Sequence, residues 1–210
     1  MAKLQVAIDL LTTQDALALA AKVAPYVDII ELGTPLIKAE GLKVVTAMKE
    51  AHPDKLVFAD MKTADTGFLE AEIAFQAGAD LVTVMGTVDD ATVKGAVEAA
   101  EKHGKKVVVD TIGVKDRVQR AKEVTAFGVA FVELHAGLDE QALPSYSIQK
   151  LISEGKEAKV PFSVAGGVNI HTIKDVVAAG ADVIVAGGAI YGAEDPAAAA
   201  KALKEAMVAV

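Results

Sequence analysis

Eight short apolar runs, separated by Ala-rich amphipathic stretches, are the feature that most limits the folds open to this chain of 210 residues. Successive runs begin about 21 to 32 residues apart, a spacing typical of strands that alternate with helices in a parallel sheet. The runs are Leu4–Asp9, Val27–Leu32, Leu56–Lys62, Leu81–Met85, Val107–Asp110, Ala130–His135, Phe162–Ala165 and Val183–Ala186. Eight βα units in this length predict an α/β protein, a (β/α)8 TIM barrel near the lower size limit of that fold, with residues 1–210 as one domain.

The main structural alternative is an open, doubly wound sheet. That fold usually carries a Gly-rich turn after its first strand, whereas Asp9-Leu10-Leu11-Thr12 follows the first run here. The hydrophobic fraction of 52% includes only 4% aromatic residues. A core of Ala, Val, Ile and Leu is typical of buried parallel strands and the helices that cover them. The barrel is therefore favoured.

Residues that begin and end helices agree with this division. Thr12 with Asp15 three residues later predicts a helix start, and Asp195 before Pro196 predicts an N-cap followed by proline at the first helical position. The segments Gln76–Asp80 and Ala178–Asp182 both read Gln/Ala-Ala-Gly-Ala-Asp before an apolar run. In each, the glycine is expected to end a helix.

Charge and cysteine content exclude several classes of function. The net charge is −8, and no cluster of Lys and Arg offers a surface for nucleic acid or anionic membrane. The chain has no cysteine, which excludes disulfides, zinc-thiolate sites and cysteine nucleophiles. The amino terminus lacks a signal-peptide pattern, so a cytoplasmic protein is expected. If the protein binds a phosphate group, a few groups at one site must hold it, because no extended basic surface is available.

Ionisable residues stand where the apolar runs end, which in a barrel is the end that carries the chemistry. The runs end in Asp9, Glu31, Asp60 with Lys62, Asp110 and His135, and Asp65 follows shortly after Lys62. Because side chains alternate along a strand, Asp60 and Lys62 share a face. Both point into the mouth of the barrel if Phe58 packs inward.

A single carboxylate at the end of a strand is more often a helix cap or the partner of a lysine than a catalyst. Five carboxylates, one lysine and one histidine at one end of a barrel are costly without a ligand or metal, which favours a functional site. Glu133 is either a supporting partner of the site or an interior charge. The other histidines, His52, His103 and His171, are interpreted as surface or cap residues.

Two glycine pairs follow the seventh and eighth runs: Gly166-Gly167 and Gly187-Gly188. Each pair can simply turn the chain from strand to helix. Barrels also often bind phosphate at these two positions, through backbone N–H groups and a helix N-terminus. We therefore interpret the four glycines as a candidate phosphate site.

The segment Asp60-Met61-Lys62-Thr63-Ala64-Asp65 fits the Asp-x-Lys-x-x-Asp signature of the orotidine monophosphate decarboxylase suprafamily. Further segments resemble the same barrels in order along the chain: Val6–Asp9, Glu31–Pro35, His135–Asp139 and Val164–Val168. The resemblance covers essentially the whole chain. It is closest to the branch of aldehyde-lyases that use Mg²⁺ to add formaldehyde to ribulose 5-phosphate through a metal-stabilised 1,2-enediolate.

The resemblance also implies roles for individual residues. Glu31 and Asp60 would hold Mg²⁺, with Mn²⁺ as the alternative and no organic cofactor. Lys62 would neutralise charge on the enediolate, and Asp9 would orient that lysine. Asp65 would reach the active site of a partner subunit, which implies a homodimer with shared sites.

The chemistry of such a reaction assigns the remaining residues. A carbon nucleophile at C1 of ribulose 5-phosphate requires a base, an electrophile at the C2 carbonyl and an anchor for the phosphate. His135 is the best base, because an ordinary imidazole pKa of about 6.5 leaves a large neutral fraction at pH 7. Asp110 would orient a substrate hydroxyl or the electrophile.

Three alternatives remain. The first is 3-keto-L-gulonate-6-phosphate decarboxylase, whose branch has glutamate in place of Asp110 and an arginine where this chain has Gly137-Leu138-Asp139. The second is a non-catalytic phosphosugar-binding barrel, which has no need for Asp60, Lys62 and His135 together. The third is a phosphopentose epimerase, which needs an acid and a base on opposite faces of one carbon.

Overall fold

The computed structural model describes residues 2–208, and their eight strands close into one parallel barrel in the order β1 to β8. Each strand pairs with the next along the chain, and β8 pairs with β1 through Val183 opposite Lys3. The chain is a (β/α)8 TIM barrel, which confirms the predicted fold class. The strands are β1 Lys3–Ile8, β2 Ile29–Leu32, β3 Leu56–Thr63, β4 Leu81–Met85, β5 Lys106–Asp110, β6 Phe131–His135, β7 Phe162–Ala165 and β8 Val183–Ala186.

Helices follow every strand and surround the barrel. They are α1 Thr13–Val23, α2 Thr34–Glu40, α3 Lys43–Ala51, α4 Gly67–Gln76, α5 Asp90–His103, α6 Arg117–Thr125, α7 Leu138–Gln141, α8 Ile148–Ala158, α9 Ile173–Ala178, α10 Gly188–Tyr191 and α11 Pro196–Val208. Of the helices in the described part of the chain, none combines the length and the apolar character that crossing a bilayer requires.

The helix boundaries expected from the sequence are confirmed. The hydroxyl of Thr12 accepts a hydrogen bond from the N–H of Asp15 (3.1 Å) at the start of α1. Asp195 accepts one from Ala198 N (3.1 Å) at the start of α11. Gly78 and Gly180 follow α4 and α9 with φ of 110° and 87°, the left-handed region in which glycine is favoured.

The two faces of the strands bury different side chains. Outward-facing residues such as Val6, Ile30 and Leu134 pack against the helices in one large apolar core. Inward-facing residues near the amino ends of the strands form a second, small apolar cluster, which includes Ile29, Phe58, Leu81, Val108 and Phe131. Nearer the carboxyl ends the inward-facing side chains are polar and buried: Glu31, Asp60, Thr83, Asp110 and Glu133. The site is therefore built on an apolar floor.

Candidate active site

A connected set of charged side chains lies at the carboxyl ends of β3, β5 and β6. Lys62 Nζ donates to Asp60 Oδ2 and to Asp110 Oδ2, each at 2.8 Å. The Nδ1 atom of His135 lies 2.9 Å from the same oxygen of Asp110. The aspartates, the lysine and the histidine that the sequence predicts at strand ends thus meet in one network.

Lys62 enters this network through an irregularity in β3. The pairing of β3 with β4 shifts between Ala59 and Thr63, and Lys62 has a φ of 44°. A non-glycine residue in the left-handed region is uncommon and costs energy unless its surroundings hold it there. Here the backbone N–H of Lys62 donates to Thr83 Oγ1 (2.8 Å). The expectation that Phe58 packs inward is met.

Two threonines that the sequence reasoning missed fix the Asp60 carboxylate. Thr34 Oγ1 lies 2.7 Å from Asp60 Oδ2, and Thr83 Oγ1 donates to Asp60 Oδ1 at 2.7 Å. Thr83 could have been found from the sequence, because it stands two residues after inward-facing Leu81. Thr34 belongs to the first turn of a helix and gave no such signal.

Glu31 lies deeper in the barrel, with 4% of its surface exposed. Gln5 Nε2 donates to Glu31 Oε2 at 2.7 Å. Burial, followed by the nearby negative charge of Asp60, raises the pKa of Glu31 well above its ordinary value. A positive charge placed between Glu31 and Asp60 would relieve this cost.

Lys62 and Asp110 form an ion pair at 2.8 Å, and each shifts the pKa of the other towards the charged form. Burial alone would lower the pKa of Lys62, but Asp60 and Asp110 outweigh it and raise that pKa. Burial alone would raise the pKa of Asp110, but His135 and Lys62 outweigh it and lower that pKa. Both groups are therefore charged at neutral pH.

Glu133 is a buried carboxylate beside His135. It is 2% exposed, and its Oε1 lies 3.6 Å from His135 Nδ1. Burial, followed by the charges of Glu31 and Asp110, raises the pKa of Glu133 well above its ordinary value. Within residues 2–208, three buried side-chain oxygens in the barrel lack a hydrogen-bond partner: Glu133 Oε2, Gln5 Oε1 and Ser163 Oγ.

Asp9 and Asp65 stand at different distances from the network. Asp9 is half-buried at the end of β1, and burial together with Asp60 raises its pKa, while Lys62 and His135 oppose that shift. Gly33 packs so closely on it that an added Cβ would lie 2.0 Å from Asp9 Oδ1. Asp65 is exposed, and its Oδ1 accepts from the N–H of Thr66 at 2.7 Å. Asp65 does not join the site within one chain.

The donor set fits a hard cation such as Mg²⁺. Asp9, Glu31, Asp60, Asp110 and Glu133 bring five carboxylates to one region, where Lys62 forms ion pairs with two of them, Asp60 and Asp110. The buried Glu31 and Asp60 offer oxygen ligands, which Mg²⁺ prefers. Asp110, Glu133 and His135 also lie close enough to share an ion. That set includes an imidazole, which suits transition metals better than Mg²⁺.

The glycine pairs form turns beside the site. Gly166 and Gly167 have φ of 107° and 71°, and Gly187 precedes α10, which begins at Gly188. An added Cβ on Gly166 would lie 2.5 Å from the carbonyl oxygen of Ala136. A side chain at Gly166 would therefore contact a backbone carbonyl too closely, and its positive φ also favours glycine.

Other candidate positions lie outside the network. A cavity of about 580 Å³ opens at the amino ends of the strands, between Lys3, Leu56 and Lys106 among others, and contains none of the predicted site residues. His52 caps α3, and the ring of His103 packs 5.9 Å from that of Phe75. His171 is exposed. These placements agree with their interpretation as surface or cap residues.

Comparison with known proteins relates this geometry to a family. Residues 2–203 match the family model described as "Orotidine 5'-phosphate decarboxylase / HUMPS family". A 3-hexulose-6-phosphate synthase of Mycobacterium gastri is 67% identical over 205 residues, which cover 98% of this chain and 99% of the relative. The names of such relatives are those of an enzyme that acts on a sugar phosphate.

Solved structures agree with the sequence matches. A crystal structure of a 3-hexulose-6-phosphate synthase superposes with a TM-score of 0.96 at 68% identity, covering 97% of this chain and 99% of the other. A 3-keto-L-gulonate-6-phosphate decarboxylase from Vibrio cholerae O1 biovar El Tor superposes with a TM-score of 0.86 at 30% identity, covering 99% and 98% of the two chains. The resemblance inferred from the motifs is confirmed.

Proposed function

Because the chain belongs to the orotidine 5'-phosphate decarboxylase / HUMPS family, we propose that it adds formaldehyde to D-ribulose 5-phosphate, giving D-arabino-hex-3-ulose 6-phosphate. The relative that is 67% identical over nearly the whole chain supports this choice of branch. The observation that carries the proposal is the contact of Lys62 and His135 with one oxygen of Asp110. This arrangement brings a base and a cation to one point in the mouth of the barrel.

His135 is the proposed base. With Nδ1 donating to Asp110 Oδ2, the free electron pair of the imidazole lies on Nε2, which is able to accept a C1 proton of ribulose 5-phosphate. Loss of that proton converts the C1–C2 unit to an enediolate. C1 then forms a bond to the formaldehyde carbon, and the former formaldehyde oxygen takes up the proton that His135 received.

Lys62 is the proposed stabiliser of the negative charge that develops on the enediolate oxygens. Its ammonium group is held by Asp60 and Asp110, each at 2.8 Å. These two carboxylates, rather than Asp9, are hydrogen-bonded to it. We therefore assign Asp60 and Asp110 to the orientation of Lys62, and Asp9 to the electrostatic balance of the mouth.

Glu31 and Asp60 are the residues we propose to hold Mg²⁺, or Mn²⁺ in its place. When bound, the ion would polarise the C2 carbonyl of the sugar phosphate as a Lewis acid. The raised pKa of buried Glu31 supports this assignment, because a cation bound there would favour the charged form of that carboxylate. The turns at Gly166-Gly167 and Gly187-Gly188 are the proposed anchors of the phosphate, through backbone N–H groups.

A homodimer with shared active sites is part of the proposal. Asp65 is exposed. It follows Lys62 by three residues in the chain but lies outside the network of its own chain. Leu69 and Ile73 on α4, which follows it, are 56% and 40% exposed and lie one turn apart on the helix. Pairing of this helix face with a second copy would bury both side chains and bring Asp65 towards the partner's site.

The decisive experiment measures formaldehyde consumption by the purified protein with ribulose 5-phosphate and Mg²⁺, with and without EDTA. The same preparation is tested for CO2 release from 3-keto-L-gulonate 6-phosphate, because structures of that decarboxylase also resemble this chain. We expect metal-dependent loss of formaldehyde. Release of CO2 without loss of formaldehyde would overturn the aldolase proposal in favour of the decarboxylase. Absence of both activities would overturn it in favour of a non-catalytic binding protein.

A further inference from the structure

We propose that Arg117 and Tyr146 are positioning residues, which hold the catalytic histidine and the phosphate-binding turn in place from the two ends of the segment 136–147. This segment connects β6 to α8 and includes the short helix α7. The inference rests on the proposed function, because it takes His135 as the base and Gly166-Gly167 as part of the phosphate anchor. Neither arginine nor tyrosine belongs to the set of residues that the strand ends indicate.

Arg117 is the anchor at the histidine end. It is the first residue of α6 and is only 5% exposed. One of its terminal nitrogens donates to the backbone carbonyl of His135 at 3.2 Å and to both carboxylate oxygens of Glu140, at 3.0 and 2.8 Å. A buried arginine therefore joins three elements: α6, the end of β6 and α7. Its planar guanidinium makes these contacts at fixed relative positions.

Glu140 and Glu154 bind this arginine unequally. Glu140 makes the short hydrogen bonds described above, whereas Glu154 Oε2, on α8, lies 3.6 Å from Arg117 Nη1. In the described part of the chain, Arg117 Nε and Glu154 Oε2 are both without a hydrogen-bond partner. Only the Glu140 contact is thus tied to the segment that follows His135, while the Glu154 contact lies outside it.

Tyr146 is the anchor at the phosphate end. Its hydroxyl donates to the carbonyl oxygen of Gly166 at 2.8 Å, and an added Cβ on Gly167 would lie 3.0 Å from the same hydroxyl. Burial and the Glu140 carboxylate raise the pKa of Tyr146, so its hydroxyl remains a donor at neutral pH. The hydroxyl is packed directly against the turn.

The two ends are connected through Ala136. Its N–H donates to the carbonyl of Ala165 at 3.1 Å, and its own carbonyl accepts from Gln141 Nε2 at 2.8 Å. The same carbonyl lies against Gly166, at 2.5 Å from where a Cβ would be. The histidine end of β6 and the turn after β7 therefore share one packed junction.

This arrangement predicts separate effects on catalysis and on substrate binding. Loosening Arg117 changes the position of His135, and a misplaced base slows the chemical step. Loosening Tyr146 changes the turn that would hold the phosphate, which weakens binding of ribulose 5-phosphate before and during the reaction alike. If either residue had a purely structural role, its loss would instead reduce the amount of folded enzyme, without affecting the chemical step and substrate binding separately.

The first test is Glu140→Gln, which keeps the shape of the side chain but removes the charge that holds Arg117. We expect kcat and the exchange of the C1 hydrogen of ribulose 5-phosphate with D2O to fall by about tenfold, the effect of losing one charge-assisted hydrogen bond, with KM nearly unchanged. Glu154→Gln is the matched control, because it removes the longer carboxylate contact with the same arginine. It should leave both rates close to those of the parent protein.

The second test is Tyr146→Phe, which removes one hydrogen bond and keeps the ring. The KM for ribulose 5-phosphate should rise by about threefold to tenfold, with kcat nearly unchanged. Tyr26→Phe is the control, because Tyr26 precedes β2, on the amino-terminal side of that strand, and packs against the apolar core.

Either of two results would overturn the proposal: equal effects of Glu140→Gln and Glu154→Gln, or a loss in Tyr146→Phe that falls on kcat rather than KM. Thermal melting of each variant keeps instability apart from these effects. Failure of the proposed function is distinguishable, because the parent protein itself would then neither exchange the C1 hydrogen nor consume formaldehyde.

Discussion

Asp110 Oδ2 is shared between two positively charged or polar groups, with Lys62 Nζ at 2.8 Å and His135 Nδ1 at 2.9 Å. Asp110 is fully buried, so the contacts do not compete with water. One carboxylate oxygen therefore fixes both the tautomer of His135, the proposed base, and the position of the Lys62 ammonium group. A substitution at Asp110 would disturb both, whereas a substitution at His135 affects one function.

We expect His135→Asn to lower kcat by about a hundredfold to ten-thousandfold, the range for loss of a general base. Asparagine retains an amide that can donate to Asp110 but cannot accept the C1 proton. The measurement is exchange of the C1 hydrogen of ribulose 5-phosphate with D2O, followed by NMR. Retained exchange in a folded variant would assign the base to another residue.

Glu133→Gln tests the pH dependence of stability. The folded protein raises the pKa of Glu133 above its ordinary value of 4.5, so above that pH the folded state binds more protons than the unfolded state. Stability from this group is thus present at low pH and lost as pH rises through the raised pKa. Each tenfold change in proton affinity corresponds to about 1.4 kcal/mol.

Glutamine removes this dependence. The unfolding free energy of Glu133→Gln, relative to the parent, should therefore increase between pH 4.5 and about pH 8. Urea unfolding in EDTA at both pH values measures this difference. A difference that stays constant with pH would mean that Glu133 has the same proton affinity in the folded and unfolded states.

At the scale of elements, two contacts between neighbours are closely constrained: that of β3 with β4 and that of α4 with α5. The irregularity in β3 brings Lys62 into the mouth with φ at 44°, and its hydrogen bond to Thr83 depends on the neighbouring strand. Helices α4 and α5 meet backbone to backbone at Gly67, where an added Cβ would lie 1.9 Å from the carbonyl oxygen of Thr92. Displacement of β4 would break the first contact, and displacement of α5 would break the second.

Gly67→Ala should accordingly reduce the unfolding free energy by about 1 to 3 kcal/mol, the usual cost of overpacking. The added methyl group forces α4 away from α5, because a backbone carbonyl cannot move aside like a flexible side chain. Denaturant unfolding of Gly67→Ala is compared with that of Glu98→Ala, an exposed position on α5. Equal stability of the two variants would show that the helices separate without cost.

At the scale of the whole molecule, the barrel brings carboxylates from five strands into one interior. Because β8 must pair with β1 to close the ring, we propose that residues 1–210 form a single domain. Closure leaves Glu31 and Glu133 facing a buried centre, where each raises the cost of charging the other. A cation bound there would therefore act on the stability of the entire fold.

We expect Mg²⁺ to raise the melting temperature of the protein, and Glu31→Gln to abolish that rise. An ion that binds only the folded state stabilises it by about 2.7 kcal/mol at a hundred times its Kd. Thermal melting with Mg²⁺ and with EDTA measures the effect, with Glu98→Gln, an exposed carboxylate on α5, as the control. A response that persists in Glu31→Gln but is lost in Glu133→Gln would assign the ion to the Asp110, Glu133 and His135 group.

Periodicity and residue type, which are local properties, were enough to predict the barrel. The runs Leu81–Met85, Phe162–Ala165 and Val183–Ala186 match the strands at both ends, and the glycines after α4 and α9 end their helices as expected. Strand alternation predicted that Asp60 and Lys62 share a face; Asp60 follows this alternation, whereas Lys62 contacts Asp60 through the irregular backbone of β3, with φ of 44°. The residues at strand ends were predictable because a parallel barrel places all carboxyl ends on one face.

The pairings within the site were decided by the tertiary structure alone. Whether Lys62 contacts Asp9 or Asp110 depends on the irregular register of β3 against β4, which no local pattern in the sequence specifies. Thr34 and Gln5 donate to carboxylates, and Arg117 donates to a backbone carbonyl, on other elements 26, 26 and 18 positions away in the chain. Hydrogen bonds require a match of distance and angle. That match exists only after the strands have closed into a ring and the helices have packed around it.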